Sequence, residues 1–272
     1  MSNPFFLNRL ASEPHALAFA GQSTPWPVAL ADETANPVLD EQLHAHVRQA
    51  QNLLYPVSAD LLATTGRPVD LFGFTPNPAK LGAAANASAS VPGIALAQLG
   101  ALIDAEELGY NPAEAKPVAV LGHSQGILAV HMVQAIREAG SVEAAAPSID
   151  EILAIASLIG IAGTRQARQL GLAARHGDAT PMLSVKDITR AQVDALTNSA
   201  THYVLSGYPE DLAAFGVEVA KEHKRQAKLR EEKVRGGRVF DPVLEYLDVT
   251  LPFHSPLMAD AVSQTVSWAE SC

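Results

Sequence analysis

The sequence predicts an α/β fold, with a central parallel sheet in a large core and a small α+β subdomain inserted late in the chain. Three observations carry this. Pro117-Val118-Ala119-Val120-Leu121 is a short, continuous apolar run of the kind found in a central parallel strand. It meets Gly122-His123-Ser124-Gln125-Gly126, after which Ile127, Leu128, Val130, Met132, Val133 and Ile136 continue as a buried helix. Past Gly177 the pattern changes to short strand candidates separated by helices.

Taken in order, His15–Ala20 (HALAFA) reads as a buried strand, stopped by the loop-forming Gly21-Gln22-Ser23-Thr24-Pro25. A helix is expected over Asp40–Tyr55, where Leu43, Val47, Leu53 and Leu54 keep helical spacing in part. Leu71–Phe74 is a short apolar stretch, and Pro76–Ser90, rich in Ala, Asn, Pro and Ser, reads as a loop. Pro92–Gly109 carries Ile94, Leu96, Leu99, Leu102 and Ile103 and reads as a largely buried helix. Asp150–Ala173 reads as a further helix, either broken or packed closely around Gly160 and Gly163. The late segment offers strands at Met182–Val185, Tyr203–Leu205 and Val243–Leu251, with helices at Thr189–Asn198 and Asp211–Lys233. This β-α-β-α-β order predicts a ferredoxin-like subdomain at 181–250, inserted in a core formed by 1–180 and 251–272.

Composition narrows the function. The 272 residues are 48% apolar and 18% charged, ordinary values for a folded protein. A net charge of −10 makes a poor nonspecific binder of nucleic acid. The single Cys272 excludes an internal disulfide and a four-cysteine zinc site, and low cysteine use fits a reducing compartment. The most apolar stretch, Ile152–Ala162, is too short to cross a bilayer. Met1–Leu10 has no basic region followed by an apolar run, so it does not read as a secretory signal. The expected setting is cytoplasmic, without nucleic-acid or membrane partners.

The chemistry centres on Gly122–Gly126, a G-x-S-x-G pattern. A sharp turn between strand and helix holds the serine hydroxyl above the sheet, and glycines on either side let neighbouring backbone approach. The helix start adds the positive end of a dipole, and the Gln125 amide points where an oxyanion would form. The strand before and the helix after supply the context that makes Ser124 a candidate nucleophile in a hydrolase-like core. A purely structural tight turn is the other reading. Ser124 needs a base. Of nine histidines, His254 stands out, in Leu251-Pro252-Phe253-His254-Ser255-Pro256, directly after a predicted strand and stiffened by prolines. A surface histidine on a loop is the alternative. His123 is expected to pack or hydrogen-bond beside the site. No histidine pair has a persuasive metal spacing, and no metal is expected.

These residues carry a resemblance. GHSQG at Gly122–Gly126, PFHS at Pro252–Ser255 and Gly21-Gln22 after the first strand resemble the acyltransferase domain of fatty acid synthases. The GHSQG form resembles the acetyl-transferring domain of type I synthases of actinobacteria and fungi. Ser90-Val91-Pro92-Gly93, Leu158–Thr164 and Lys233-Val234-Arg235-Gly236-Gly237 are further matches, the last two favouring the actinobacterial kind. The resemblance runs from about His15 to Glu270.

It implies a ping-pong transfer with no bound cofactor. Ser124 attacks the thioester of acetyl-CoA with His254 as base, and the backbone amides of Gln125 and Gln22 hold the oxyanion. The phosphopantetheine thiol of an acyl carrier protein then takes the acetyl group, with other synthase domains as further partners. Each oxyanion donor would contribute roughly 3 kcal/mol. Malonyl-transferring relatives pair the malonyl carboxylate with an arginine. The matching place here is Ile159, which with His123 would line the substrate pocket, and Arg165 is the nearest rival cation. Family members continue beyond the point where this chain stops, so the resemblance implies part of a longer synthase. No third triad member is assigned. Lys221–Arg238 holds eight basic and three acidic residues, read either as a solvated helix or as a docking face for an acidic carrier protein. A serine hydrolase, a malonyl transferase and a catalytically silent module remain as alternatives.

Overall fold

The computed structural model describes residues 10–22, 25–65, 87–172, 179–186, 202–232, 241–247 and 249–272. Leu71–Phe74, residues 76–86, the helix expected at Thr189–Asn198 and the Lys233–Gly237 motif lie outside them. The chain divides into two compact units, Met1–Arg165 with Ala261–Cys272, and Gln166–Asp260.

In the first unit, β1 (Ala16–Phe19) and β2 (Ala119–Gly122) pair in parallel, Ala16 opposite Ala119 and Phe19 opposite Gly122. Among the described residues this parallel sheet has two strands. The expectation of fully buried strands fails. Side chains alternate between exposed and half-buried along β1, and Leu121 of β2 is 59% exposed. An apolar run reports where a strand forms, whereas its burial depends on what else the fold lays against it.

Among the described residues, eight α-helices take part in this unit. α1 (Trp26–Thr34) was not anticipated from the sequence, nor was α3 (Ser58–Thr65). Between them α2 (Pro37–Leu53) starts before the expected Asp40. Asn36 caps it by accepting from the Val38 N–H at 3.1 Å, and Pro37 occupies the first turn, where a missing N–H costs nothing. Its buried stripe, Leu39, Leu43, Val47 and Ala50, follows the helical repeat.

α4 (Ala87–Glu107) corrects the sequence reading most. It begins in the stretch read as loop, with Pro92 inside it rather than at its start. Pro92 lacks the N–H that would bond to Ser88. Tertiary contacts outweigh that loss: Thr164 Oγ1 accepts from the Ser88 N–H at 3.1 Å, and α7 (Ala146–Gln169) packs on Ala87 at Gly160. A Cβ at Gly160 would overlap the Ala87 carbonyl oxygen. α5 (Pro112–Ala115) is a single turn, and α6 (Ile127–Ala139) closes on Gly140, whose φ of 97° is left-handed and whose N–H reaches the Ile136 carbonyl at 2.7 Å. His46 of α2 meets Asp150 of α7 with Nδ1 2.6 Å from Oδ1, both side chains about one-tenth exposed. α7 starts before the expected Asp150 and crosses the unit boundary, as does α9 (Ala259–Ala269). α4 and α7 are each long and apolar enough to span a bilayer, contrary to the sequence reading. Both are mostly buried within the protein, which is what core helices show.

The second unit holds β3 (Met182–Lys186), β4 (His202–Ser206) and β5 (Val243–Tyr246) in the order β4-β3-β5, both pairings antiparallel. Leu183 and Val185, on one face of β3, form a core with Leu212 and Val219 of α8 (Pro209–Glu232). Leu205, Phe215, Leu244 and Tyr246 pack around it. β5 is shorter than the expected Val243–Leu251. The Leu247 N–H still reaches the Met182 carbonyl at 3.0 Å, but the Val249 N–H turns back to Leu247, which ends the ladder. Within α8, Lys221 pairs with Glu218 and Arg225 with Glu222, so part of its basic charge is met along the helix itself. Glu222, held by Arg225 and Gln226, titrates at about 2.

Candidate active site

The chain leaves β2 at Gly122, stays extended at His123, makes one 3-10 turn over Ser124–Gly126 and enters α6. Ser124, half-buried, has a φ of 53°, a left-handed conformation that costs a non-glycine residue about 1–2 kcal/mol. The turn is held from both sides. The His123 N–H donates to the Phe19 carbonyl, and the His123 carbonyl accepts from the Gly126 N–H, each at 2.9 Å. The exit of β1 presses on it directly. A Cβ at Gly126 would overlap the Phe19 carbonyl, and one at Gly21 would lie 2.6 Å from the His123 oxygen and 3.3 Å from the Gln125 nitrogen. Two backbones this close leave no room for side chains, which is why glycine stands at both places.

The same closeness brings Gln22 and Gln125 together. The Gln22 side-chain amide donates to Gln125 Oε1, and the Gln125 amide donates to the Val91 carbonyl at 2.5 Å. Ser90 Oγ donates to Gln22 Oε1 at 3.1 Å. Upstream, Gln98 Nε2 donates to the Ala20 carbonyl at 2.8 Å. The first loop and the serine turn are thus both tied to α4. Ser90-Val91-Pro92-Gly93, a stretch that carries part of the family resemblance, lies on α4 at this junction. Neither the side-chain link between the glutamines nor its anchorage on α4 was anticipated.

The other candidates are placed as follows. His123 is exposed. Ile159 is half-buried on α7, one residue before the Gly160 contact. Arg165 is exposed, and its guanidinium donates to Gln264 Oε1 on α9 at 3.0 Å. Six residues separate Ile159 from Arg165, which points them about 120° apart around the helix. His254 belongs to the second unit and Ser124 to the first. It does not follow a strand directly, because β5 ends at Tyr246. It is exposed, with a φ of 59°. Ser255 next to it caps the 3-10 turn Pro256–Met258, its Oγ accepting from the Leu257 N–H at 3.1 Å. Gln166 Nε2 donates to the Leu257 carbonyl at 3.2 Å. A cleft of about 440 Å³ lies elsewhere in the first unit, between Gln42, His46, Ile103, Glu106 and Asp150, with no elbow residue in its wall. Among the described residues, no group of three or more His, Cys, Asp or Glu side chains could hold a metal ion.

The family described as the fatty acid synthase central AT domain matches residues 181–246. Fatty acid synthase 2 of Mycosarcoma maydis is 28% identical over 173 residues, taking in 54% of this chain. The chain resembles the acyltransferase domain of a fatty acid synthase. It spans only 5% of the length of that relative. The fold of this acyltransferase-like chain is shared with solved structures. MCAT from Mycobacterium tuberculosis superposes with a TM-score of 0.55 at 18% identity, over 94% of this chain and 70% of that one. A malonyl CoA-acyl carrier protein transacylase from Clostridium perfringens gives 0.51 at 14% identity, over 96% and 68%. At these identities the likeness is one of fold, and it is α/β.

Proposed function

We propose that the chain is an acyltransferase of fatty acid synthesis, moving an acyl group from a CoA thioester through a Ser124 ester to the phosphopantetheine thiol of an acyl carrier protein. The observation that carries this reading is Ser124 itself, at φ 53° between a parallel strand and a helix, with the Gln22 loop packed on its turn. Ser124 Oγ attacks the thioester carbonyl while His254 takes its proton. The oxyanion is held by the backbone N–H groups of Gln125 and Gln22, near the positive end of α6. Collapse expels the CoA thiolate, which is reprotonated by His254. The carrier thiol then attacks the ester, gives its proton to His254, and Ser124 Oγ leaves with that proton. For His254 the support is the PFHS resemblance and its left-handed backbone on a proline-flanked turn. We also propose a ferredoxin-like subdomain at 181–250 inserted in a hydrolase-like core of 1–180 and 251–272, and a cytoplasmic place beside the other domains of a synthase.

The acyl group is taken to be acetyl. Ile159 offers no cation, and Arg165, the nearest alternative, is exposed and already engaged by Gln264. Burying a malonyl carboxylate without a partner costs several kcal/mol. A malonyl reading is favoured by the names of the solved neighbours, so the test compares both. After incubation with equal acetyl-CoA and malonyl-CoA, intact mass is expected to show a predominantly acetyl adduct, absent in Ser124→Ala and slowed by orders of magnitude in His254→Ala. Ile159→Arg should raise the malonyl share. Equal acetyl and malonyl labelling of the parent chain would overturn the acetyl assignment, and full labelling of Ser124→Ala the nucleophile.

A further inference from the structure

The hydrogen bonds around Gln22 run in one direction. The Val91 carbonyl can only accept, so the Gln125 NH2 must face it. Gln125 Oε1 is then left to accept from the Gln22 NH2, and Gln22 Oε1 to accept from the Ser90 hydroxyl. Every group in this relay has one fitting partner in this orientation. Ser90 is 4% exposed, so water is poorly placed to replace its hydroxyl. Residue 22 is therefore restrained from three directions. Ala20 is held by Gln98, Gly21 is wedged against the serine turn, and the Gln22 side chain is anchored at both of its polar atoms. All of these anchors rest on α4 or on the turn itself.

We propose that Ser90 is a positioning residue for acyl transfer: through the Gln22 side chain it holds the Gln22 backbone N–H in the place where the oxyanion develops. This rests on the reading of Ser124 as nucleophile and of the Gln22 and Gln125 amides as oxyanion donors. Such donors act only within a few tenths of an ångström of the right distance, so a loop released from one anchor loses rate before it loses substrate binding. The buried Ser90-Val91 pair thereby gains a role in the reaction, and α4 becomes the brace of the oxyanion loop.

The experiment is rapid-quench acetylation of this chain by acetyl-CoA, followed by intact mass, for the parent chain, Ser90→Ala, Gln22→Ala and the double variant, with Ser124→Ala as the adduct control. Ser90→Ala is expected to slow acetylation at saturating acetyl-CoA roughly tenfold, while the half-saturating concentration moves by less than about twofold. The double variant is expected to be no slower than Gln22→Ala alone, because Ser90 acts through that side chain. Melting curves of all variants run alongside, since a merely structural serine would lower the melting temperature and leave the rate split and the non-additivity unmoved. A Ser90→Ala rate within about twofold of the parent, or losses that add in the double variant, overturns the positioning role alone. A parent chain with no Ser124-dependent adduct overturns the functional reading and this inference together.

Discussion

Ser124 keeps its left-handed backbone because the contacts around it over-determine the turn: Gly21 on one side, Phe19 beneath and the His123–Gly126 hydrogen bond across. The strain is testable apart from any chemistry. Ser124→Gly is expected to be more stable than Ser124→Ala by about 1 kcal/mol, the relieved strain less the extra chain entropy of glycine. Denaturant midpoints of the two variants decide this, and neither can form an adduct. Equal midpoints would mean that the turn carries no strain. Gly21→Ala is expected to be worse in both respects, since its Cβ would meet the His123 carbonyl and lever the Gln22 loop off the turn. Stability and acetylation rate should fall together in that variant.

Between helices, two of the contacts that seat α4 lend themselves to test. Gly160→Ala would drive a methyl into the Ala87 carbonyl, and backbone yields less readily than a side-chain tip, so a loss of about 1–3 kcal/mol is expected in a denaturant titration. Glu33 of α1 sits against Gly100 of α4, and burial, aided by Asp104 and Asp32, pushes its pKa up to about 8. The sign of its linkage follows. Between the ordinary carboxyl value of 4.5 and about 8, the folded chain keeps the proton and the unfolded chain releases it. Stability should therefore fall as pH rises through that window and show no Glu33 contribution to the slope below it. Glu33→Gln, which stays neutral, is expected to flatten that dependence and to melt higher than the parent at pH 8. An unchanged pH slope in Glu33→Gln would show that the carboxyl ionises freely in the fold.

For the whole molecule, length and apolarity alone would let α4 and α7 cross a membrane, whereas their burial marks them as interior helices. The chain is accordingly expected to remain at the bottom of a density gradient when phospholipid vesicles float. Co-flotation would mean that one of these helices leaves the core for lipid. The net charge of −10 likewise predicts no retention on DNA at physiological salt.

Local patterns in the sequence determined a good deal. The run before Gly122 and the apolar helix after Gly126 announced the serine turn, because a strand, a tight turn and a helix each leave a short-range signature. The three late strands and the polar helix were legible for the same reason. The start of α4 was not: Ala87–Ser90 looks like loop by composition and becomes helix because α7 packs on it at Gly160 and Thr164. α1 escaped notice between prolines, and β5 ended where the Val249 N–H bonds to the Leu247 carbonyl instead of to a neighbouring strand. The glutamine relay was out of reach as well. Gln22, Ser90 and Gln125 lie far apart in sequence, and the backbone approach at Gly21 together with the seating of α4 brings their side chains together. Residue type and spacing reveal what a turn can do, whereas contacts between distant segments decide which side chains hold it in place.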